Sequence, residues 1–298
     1  MKKIQSMLLV LLAFALLVPA AASANVGINE KFGPSIVVYG GDLSEAERES
    51  VQESLEVAEE PEVEEIEVTG EDLVQYITDG DPRARMYSSA KITRQEEGEG
   101  LVIEIVTPEN ITQVTADMYA NAILTAGIED AVVEVAAPKP VTGHSALVGI
   151  YKAYEVNGEQ LDPERTDAAN DELEVATEIA GNGIDEEQVS ELLTGIKQQI
   201  AEQSPATREE VEQIVEDQLS RLQIELNPED RQLLIDLMDR IRQLDIDFSQ
   251  WSTQLEDLSK TIEDTLGNVS DAVNDEGFWA NVRSFFRQLA DSVRSLFN

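Results

Sequence analysis

The excess of carboxylates over basic side chains is the feature that most constrains how this chain can fold. The sequence holds 60 Asp and Glu residues against 21 Lys and Arg, which gives a formal net charge of −39. Because the acids are spread along the whole chain, a surface helix keeps only a narrow apolar stripe free of them. Such helices are marginal on their own, so the pattern predicts that they pack on one another or on a partner.

The same charge bears on function. A surface this acidic repels phosphates, so the sequence excludes nucleic-acid binding through a general basic field. Two interpretations of the acidity stay open: adaptation to a salty or alkaline exterior, and assembly through calcium, which prefers oxygen ligands. No EF-hand spacing is present, and Asp79–Asp81, Asp245–Asp247 and Asn274–Gly277 are fragments that turns and helix caps also explain. The residues of any metal site are therefore unknown.

The first 24 residues have the pattern of an export signal. Lys2 and Lys3 precede an apolar run from Met7 to Val18, and Ala22-Ser23-Ala24 supplies a small-residue cleavage site. About twelve apolar residues are too few to span a bilayer. The chain has no cysteine, which excludes a lipidated N-terminus and disulfides. We expect a secreted, extracellular protein that is released or held at the cell envelope by other means.

Residues 25–157 alternate between strand and helix signals and are predicted to form an α+β domain. Strands are expected at 35–39, 62–68, 86–95, 100–106 and 131–136, with one helix running from Ser44 to about Ala58 behind a capping box. The short acidic loop 96–99 indicates a hairpin between two of these strands. From 62 to 137 the order strand, helix, strand, strand, helix, strand is that of a ferredoxin-like (βαββαβ) core.

Two local motifs in this domain invite a functional interpretation. Thr107-Pro108 is typical of a helix N-terminus and predicts a helix over 111–126. Gly143-His144-Ser145 resembles the start of a nucleophile elbow, but Leu147 stands where the elbow has glycine, and no histidine follows in the chain. The sequence instead predicts a turn in which Thr142 or Ser145 caps a helix over 146–154. No catalytic or cofactor-binding residue is assigned, and a zinc site built from His144 and carboxylates remains an alternative.

Several stretches resemble the YpuA-like family. They are Thr107-Pro108-Glu109-Asn110-Ile111-Thr112, Met118-Tyr119, Ala126-Gly127-Ile128, Ala136-Ala137-Pro138, Val141-Thr142-Gly143 and Gly149-Ile150-Tyr151-Lys152-Ala153-Tyr154-Glu155. The family consists of exported proteins of Gram-positive bacteria, grouped as a domain of unknown function. The resemblance covers most of the chain after the signal and implies a mixed N-terminal region followed by helices. It implies no catalytic residues.

Residues 158–276 are predicted to form an acidic, all-α helical region. Asp162-Pro163 and Asn227-Pro228 each place proline at a first helical position, and Asp185 opens a further cap. The apolar positions keep helical spacing between these signals. Over 251–273, an apolar series steps by four and three, namely Trp251, Leu255, Leu258, Ile262, Leu266, Val269 and Val273. This seam either packs within the chain's own bundle or joins copies in a homo-oligomer.

The last segment, 277–298, is predicted to be an amphipathic aromatic helix. Its predicted contact residues are Phe278, Trp279, Val282, Arg283, Phe285, Phe286, Arg287, Leu289, Val293, Arg294, Leu296 and Phe297. The apolar ones share one helical arc, and the three arginines flank it. Three roles are open: lying on a membrane surface, docking in a groove of an envelope protein, or packing on its own acidic bundle.

The sequence therefore favours an exported, non-catalytic envelope-associated or matrix protein that uses the last helix for contact. No nucleophile–base pair, nucleotide loop or cofactor motif is recognisable. One alternative is a carboxylate-dependent hydrolase of cell-wall glycan or peptide, because pairs of acids suffice for glycoside chemistry. A second alternative is a calcium-dependent assembly protein.

Overall fold

A mixed five-stranded sheet lies at the centre of the first half of the chain. The computed structural model describes residues 32–156, 158–247, 251–260 and 262. The strands are β1 (Ser35–Gly40), β2 (Val63–Val68), β3 (Ser89–Arg94), β4 (Leu101–Ile105) and β5 (Ala131–Ala136). Their order is β2-β1-β3-β5-β4, in which β1 and β2 are parallel, β4 and β5 are parallel, and β3 is antiparallel to both of its neighbours.

Helices connect successive strands, except between β3 and β4, and are the regular elements of the rest of the described chain. They are α1 (Glu45–Ser54), α2 (Gly70–Tyr76), α3 (Ala116–Ala126), α4 (Ser145–Val156), α5 (Pro163–Gly181), α6 (Glu186–Gln203), α7 (Arg208–Leu222) and α8 (Pro228–Arg242). Residues 251–260 are also helical and are called α9 here. A mixed α/β region followed by helices is thus confirmed.

The predicted hairpin between β3 and β4 is wrong, because β5 lies between these two strands. The burial of β5 and β4 agrees with an interior position for β5 and an edge position for β4. Ala131, Val133 and Val135 of β5, which share one face, are fully buried, and Val132 and Glu134 on the other face are half-buried, as suits an interior strand. In β4, Val102 and Glu104 are exposed and alternate with half-buried neighbours, which suits an edge.

The strand order likewise does not confirm the ferredoxin-like core. That fold needs the 62–68 strand to pair within the core, whereas β2 lies at the far edge and pairs with β1 alone. The strand expected at 35–39, which precedes the βαββαβ order in the chain, is β1, an interior strand between β2 and β3. Residues Ile36 to Tyr39 are at most 1% exposed, so this strand is central to the fold.

Helix starts follow the predicted caps at four positions, but not at Thr107, and Ser145, expected as a possible cap, is already the first residue of α4. Capping boxes or caps are confirmed at Ser44, Asp162, Asp185 and Asn227. The helix predicted over 111–126 instead begins at Ala116, with Thr115 as its cap. The Thr107 hydroxyl accepts a hydrogen bond from the Ala137 backbone N–H at 2.8 Å. Thr107 therefore fixes the loop after β4 to the end of β5 and starts no helix.

The two faces of the sheet are covered differently. Helix α1 packs on one face over a small cluster around Val37, Tyr39 and Val51. Helices α3 and α4 cover the other face, and α5 packs along α3 as the next layer. The larger buried cluster runs without interruption from Ile36 to Ile262. One continuous core therefore extends across the boundary expected between residues 157 and 158.

A buried polar network joins the sheet-covering helix α3 to α5 and α6. The Lys197 ammonium donates to Glu172 Oε1 at 2.6 Å and to the Asn121 carbonyl at 3.0 Å. The side chains of Lys197 and Glu172 are 0% and 1% exposed, respectively. The Thr125 hydroxyl donates to the second carboxylate oxygen of Glu172 at 2.5 Å. Burial lowers the pKa of Lys197, and the Glu172 carboxylate opposes this shift.

The start of the 251–273 seam packs into the chain's own core. Trp251, Leu255 and Ile262 are fully buried, and Leu258 is nearly so. The rest of the seam and all contact residues of segment 277–298 lie outside the described residues, as does the expected signal at 1–24. Homo-oligomerisation through the seam thus stays a prediction. None of the helices in the described ranges is long and apolar enough to cross a membrane.

The close approach of β1 to the loop before β3 yields a stability prediction. A Cβ added at Gly40 would lie 2.3 Å from the Met86 carbonyl oxygen, so Gly40→Ala must displace backbone and should cost about 1–3 kcal/mol or more. Gly181→Ala, at the end of α5 with nothing within 4 Å of the added carbon, should be neutral or stabilising by up to about 1 kcal/mol. Urea denaturation compares the two. A Gly40→Ala midpoint equal to that of the native chain would contradict this packing.

Candidate functional site

A cleft of about 830 Å³ opens where α2, the loop before β3, α4, α5 and α8 meet. We call it the His144 cleft. Its apolar wall includes Leu73, Ile77, Met86 and Val148. This volume is in the range of small-molecule sites, which combine apolar walls with a few placed polar groups.

The motif Gly143-His144-Ser145 lies at this cleft, but its side chains do not form a catalytic pair. His144 Nε2 is 3.4 Å from the Thr177 hydroxyl of α5. The Ser145 hydroxyl accepts a hydrogen bond from the Ser88 backbone N–H at 3.1 Å. Each group is thus held by a neighbour on another element. Burial lowers the pKa of His144, although the nearby Glu174 carboxylate opposes the shift.

A carboxylate–guanidinium–carboxylate bridge forms the opposite wall. Arg240 of α8 donates to Asp167 at 2.5 Å and also to Asp171, one turn further along α5. Burial alone would raise the pKa of Asp167, but hydrogen bonds from the Thr78 backbone N–H and Arg240 lower it. For Asp171, burial outweighs Arg240 and raises the pKa. The bridge therefore holds two carboxyl groups whose acidities are shifted in opposite directions.

The cleft as a whole is acidic. Five carboxylates line it against two guanidinium groups. Asp79 and Glu174 form no ion pair with the described basic residues, whereas Arg240 is engaged by Asp167 and Asp171. Ser88 in the same wall is 1% exposed, and its hydroxyl has no hydrogen-bond partner among the described residues. A ligand that brings positive charge and a hydrogen-bonding group matches this lining.

Sequence reasoning found only part of this site. It singled out His144, Ser145 and the Asp79–Asp81 fragment, all of which line the cleft. It missed the bridge formed by Asp167, Asp171 and Arg240. The i, i+4, i+7 and i+11 spacing of Asp167, Asp171, Glu174 and Glu178 is the signal that could have revealed an acidic face on one helix.

The described residues do not define a metal centre. Among them, no three or more His, Cys, Asp or Glu side chains are grouped so that they could hold a metal ion. His144 contacts Thr177, and its potential zinc ligands are not assembled around it in this part of the chain. The calcium alternative is not tested by this observation.

Comparison with known proteins identifies a family but no reaction or ligand. A family model described as "Protein of unknown function (DUF1002)" matches residues 39–258. The chain is 31% identical over 303 aligned residues to the uncharacterized protein YpuA of Bacillus subtilis (strain 168), and the alignment covers 100% of both chains. No solved structure matches significantly. The resemblance seen in the sequence is thereby confirmed.

The buried position of His144 predicts a lowered imidazole pKa, which NMR can measure without isotope labelling. His144 is the one histidine of the sequence, so its ring protons in an untagged chain give a single assignable NMR titration. Because burial disfavours the imidazolium, the folded-state pKa should lie below the ordinary value of 6.5. As pH falls, the unfolded chain therefore becomes protonated at a higher pH than the folded chain. Protonation of His144 then favours unfolding, so the free energy of unfolding decreases as pH falls below 6.5.

Two variants sharpen the titration. Glu174→Gln removes the opposing carboxylate and should lower the His144 pKa further, whereas Glu49→Gln, on α1 across the sheet, should leave it unchanged. A midpoint at or above 6.5 in the folded native chain would contradict the buried placement of the ring.

Proposed function

The chain belongs to the DUF1002 family of proteins of unknown function, and from this premise we propose that it is an exported, envelope-associated binding protein. In this proposal a ligand binds in the His144 cleft and dissociates without being chemically altered. The observation that carries the proposal is the cleft itself, which combines ligand-sized volume, an apolar wall and two acids that form no ion pair with the described basic residues. Export and envelope association rest on the sequence of the signal segment and of segment 277–298.

The lining favours an amine-bearing ligand. Asp79 lies on the loop before β3 and Glu174 lies on α5, so carboxylates that have no ion pair among the described residues line the cleft from two sides. A protonated amine between them would gain charge-assisted hydrogen bonds. The apolar residues Leu73, Ile77 and Val148 would cover a non-polar part of the same ligand. Fragments of the cell wall that carry free amino groups have this combination.

Non-catalytic binding fits the way the polar groups are held. His144 contacts Thr177, and Ser145 accepts from Ser88, so neither group activates the other. Arg240 lies between Asp167 and Asp171 and neutralises charge that a general base would need. In this proposal the free form of segment 277–298 supplies contact with a membrane surface or an envelope protein.

A carboxylate-dependent hydrolase is the second candidate, and one observation favours it. The pKa of Asp171 is raised while that of Asp167 is lowered. Opposed shifts in a neighbouring pair are how enzymes assign one carboxyl group as acid and the other as base. The candidate requires that Arg240 moves away from one carboxylate when substrate enters.

Thermal denaturation with size-fractionated soluble fragments of Gram-positive cell wall tests the binding proposal. At a concentration a hundredfold above Kd, a ligand stabilises the folded chain by about 2.7 kcal/mol, which raises Tm by roughly 5–10 °C. The double variant Asp79→Asn/Glu174→Gln should lose most of this rise, since both residues are exposed, line the cleft and carry the carboxylates that the amine would contact. Glu49→Gln/Glu53→Gln removes the same charge from α1 and should keep it.

The same samples separate the two candidates. Mass spectrometry of the fragments after incubation should show no new products if the protein only binds. Products that disappear in Asp171→Asn would establish the hydrolase. A Tm that no fraction raises, in the native chain or the α1 control, would contradict ligand binding in the cleft.

A further inference from the structure

One face of α5 lines two adjoining cavities. Besides the His144 cleft, a trough of about 350 Å³ lies between α5 and α8, and the two share Asp171, Glu174 and Arg240. The α5 residues that line them run from Asp167 to Glu178, a span of about 16 Å at 1.5 Å per residue. We call the continuous depression the α5 groove. Its length matches three turns of a helix.

The groove combines apolar floor with acidic rims. Val175 and Leu237 are buried beneath the trough, whereas Leu233 on α8 is 39% exposed. Glu174 and Glu178 are exposed and form no ion pair with the described basic residues. Asp236 on the other rim pairs with Arg208 at 2.5 Å. An amphipathic helix with basic side chains beside its apolar face would place apolar groups on Leu233 and cations near Glu174 and Glu178.

The chain carries a segment of complementary chemistry. Residues 278–298 hold three arginines and one aspartate, in a protein whose remaining residues carry the whole acidic excess. Helical spacing would place the large apolar side chains on one arc with Arg283, Arg287 and Arg294 beside it. Fifteen residues, 263–277, separate this segment from Ile262, the last described position. Extended, they reach up to about 50 Å, so the tether permits docking on α5.

We propose that residues 278–298 dock as an amphipathic helix in the α5 groove of the same chain. The apolar arc covers Leu233 and the floor beneath it, and the arginines pair with Glu174 and Glu178. Tethering gives the segment an effective concentration in the millimolar range, so even weak docking is well populated.

Limited trypsin digestion of the full chain tests the docking. Arg283, Arg287 and Arg294 are the sole lysines or arginines after Lys260, so mass spectrometry assigns every cleavage near the C-terminus. Docking should slow cleavage at these sites, because the protease acts on the undocked form. Glu174→Gln/Glu178→Gln, which changes two exposed carboxylates, should raise the cleavage rate at least tenfold. High salt should act in the same direction.

Controls exclude the other occupants of the groove and other positions of the segment. Glu49→Gln/Glu53→Gln on α1 should leave the cleavage rate unchanged, and protection should not depend on protein concentration. Protection that appears only at high concentration would assign the segment to a second copy. Protection that requires anionic vesicles would assign it to a membrane. Either result overturns the proposal.

A rival surface in the same molecule is tested in parallel. A groove of about 380 Å³ lies beside β4, lined by Val102, Asp117, Asp257 and Leu258 among others. If Asp117→Asn/Asp257→Asn exposes the arginines while Glu174→Gln/Glu178→Gln does not, docking on α5 is wrong. The protease readout involves no ligand, so it stands or fails separately from the thermal test of the cleft.

Discussion

The buried ion pair between Lys197 and Glu172 is the interaction on which the arrangement of the helices depends. Burying two charges costs several kcal/mol each unless good geometry and further hydrogen bonds offset it. Here the ammonium also donates to the Asn121 carbonyl, and the carboxylate accepts from Thr125. The partners come from α3, α5 and α6, so the compensation exists only when these three helices are packed together. The pair thereby joins the layer on the sheet to the acidic helices.

Fixing α5 in this way determines what its other side can do. Glu172 faces the core, and residues one turn before and after it, Ala169 and Ala176, are buried with it. The acids at 167, 171, 174 and 178 therefore occupy the opposite side, along the cleft and the trough. An acidic excess that limits each helix to a narrow apolar stripe thus also provides one continuous charged groove. The site and the fold are two consequences of one helix orientation.

Local signals predicted the helices well because caps and proline positions act through nearby backbone. Asp162-Pro163 and Asn227-Pro228 start helices where expected. Strand pairing was not predictable in the same way, since the hairpin motif around 96–99 competed with a strand thirty residues away. Both β4 and β5 have apolar residues at alternate positions, and β5 takes the interior position. Which strand lies at the edge depends on which faces the helices cover, and this is tertiary information.

The candidate site was likewise predictable from the sequence only where the signal is local. The His144 motif was visible in the sequence, but its meaning depended on neighbours such as Thr177 and Ser88 that lie far away in the chain. Lys197 was missed, although it lies four residues after Leu193 and three before Ile200, on the apolar side of α6. A lysine in that position signals a buried partner. The identity of the partner among sixty acids required the fold.

A double-mutant cycle on Lys197 and Glu172, measured by urea denaturation, tests the central claim most directly. Lys197→Met and Glu172→Gln should each cost about 3–5 kcal/mol of unfolding free energy, because each leaves a buried charge without its partner. The double variant should cost clearly less than the sum of the two, since no unpaired charge remains. Single variants within about 0.5 kcal/mol of the native chain, or strictly additive costs, would show that the pair does not hold the helices together.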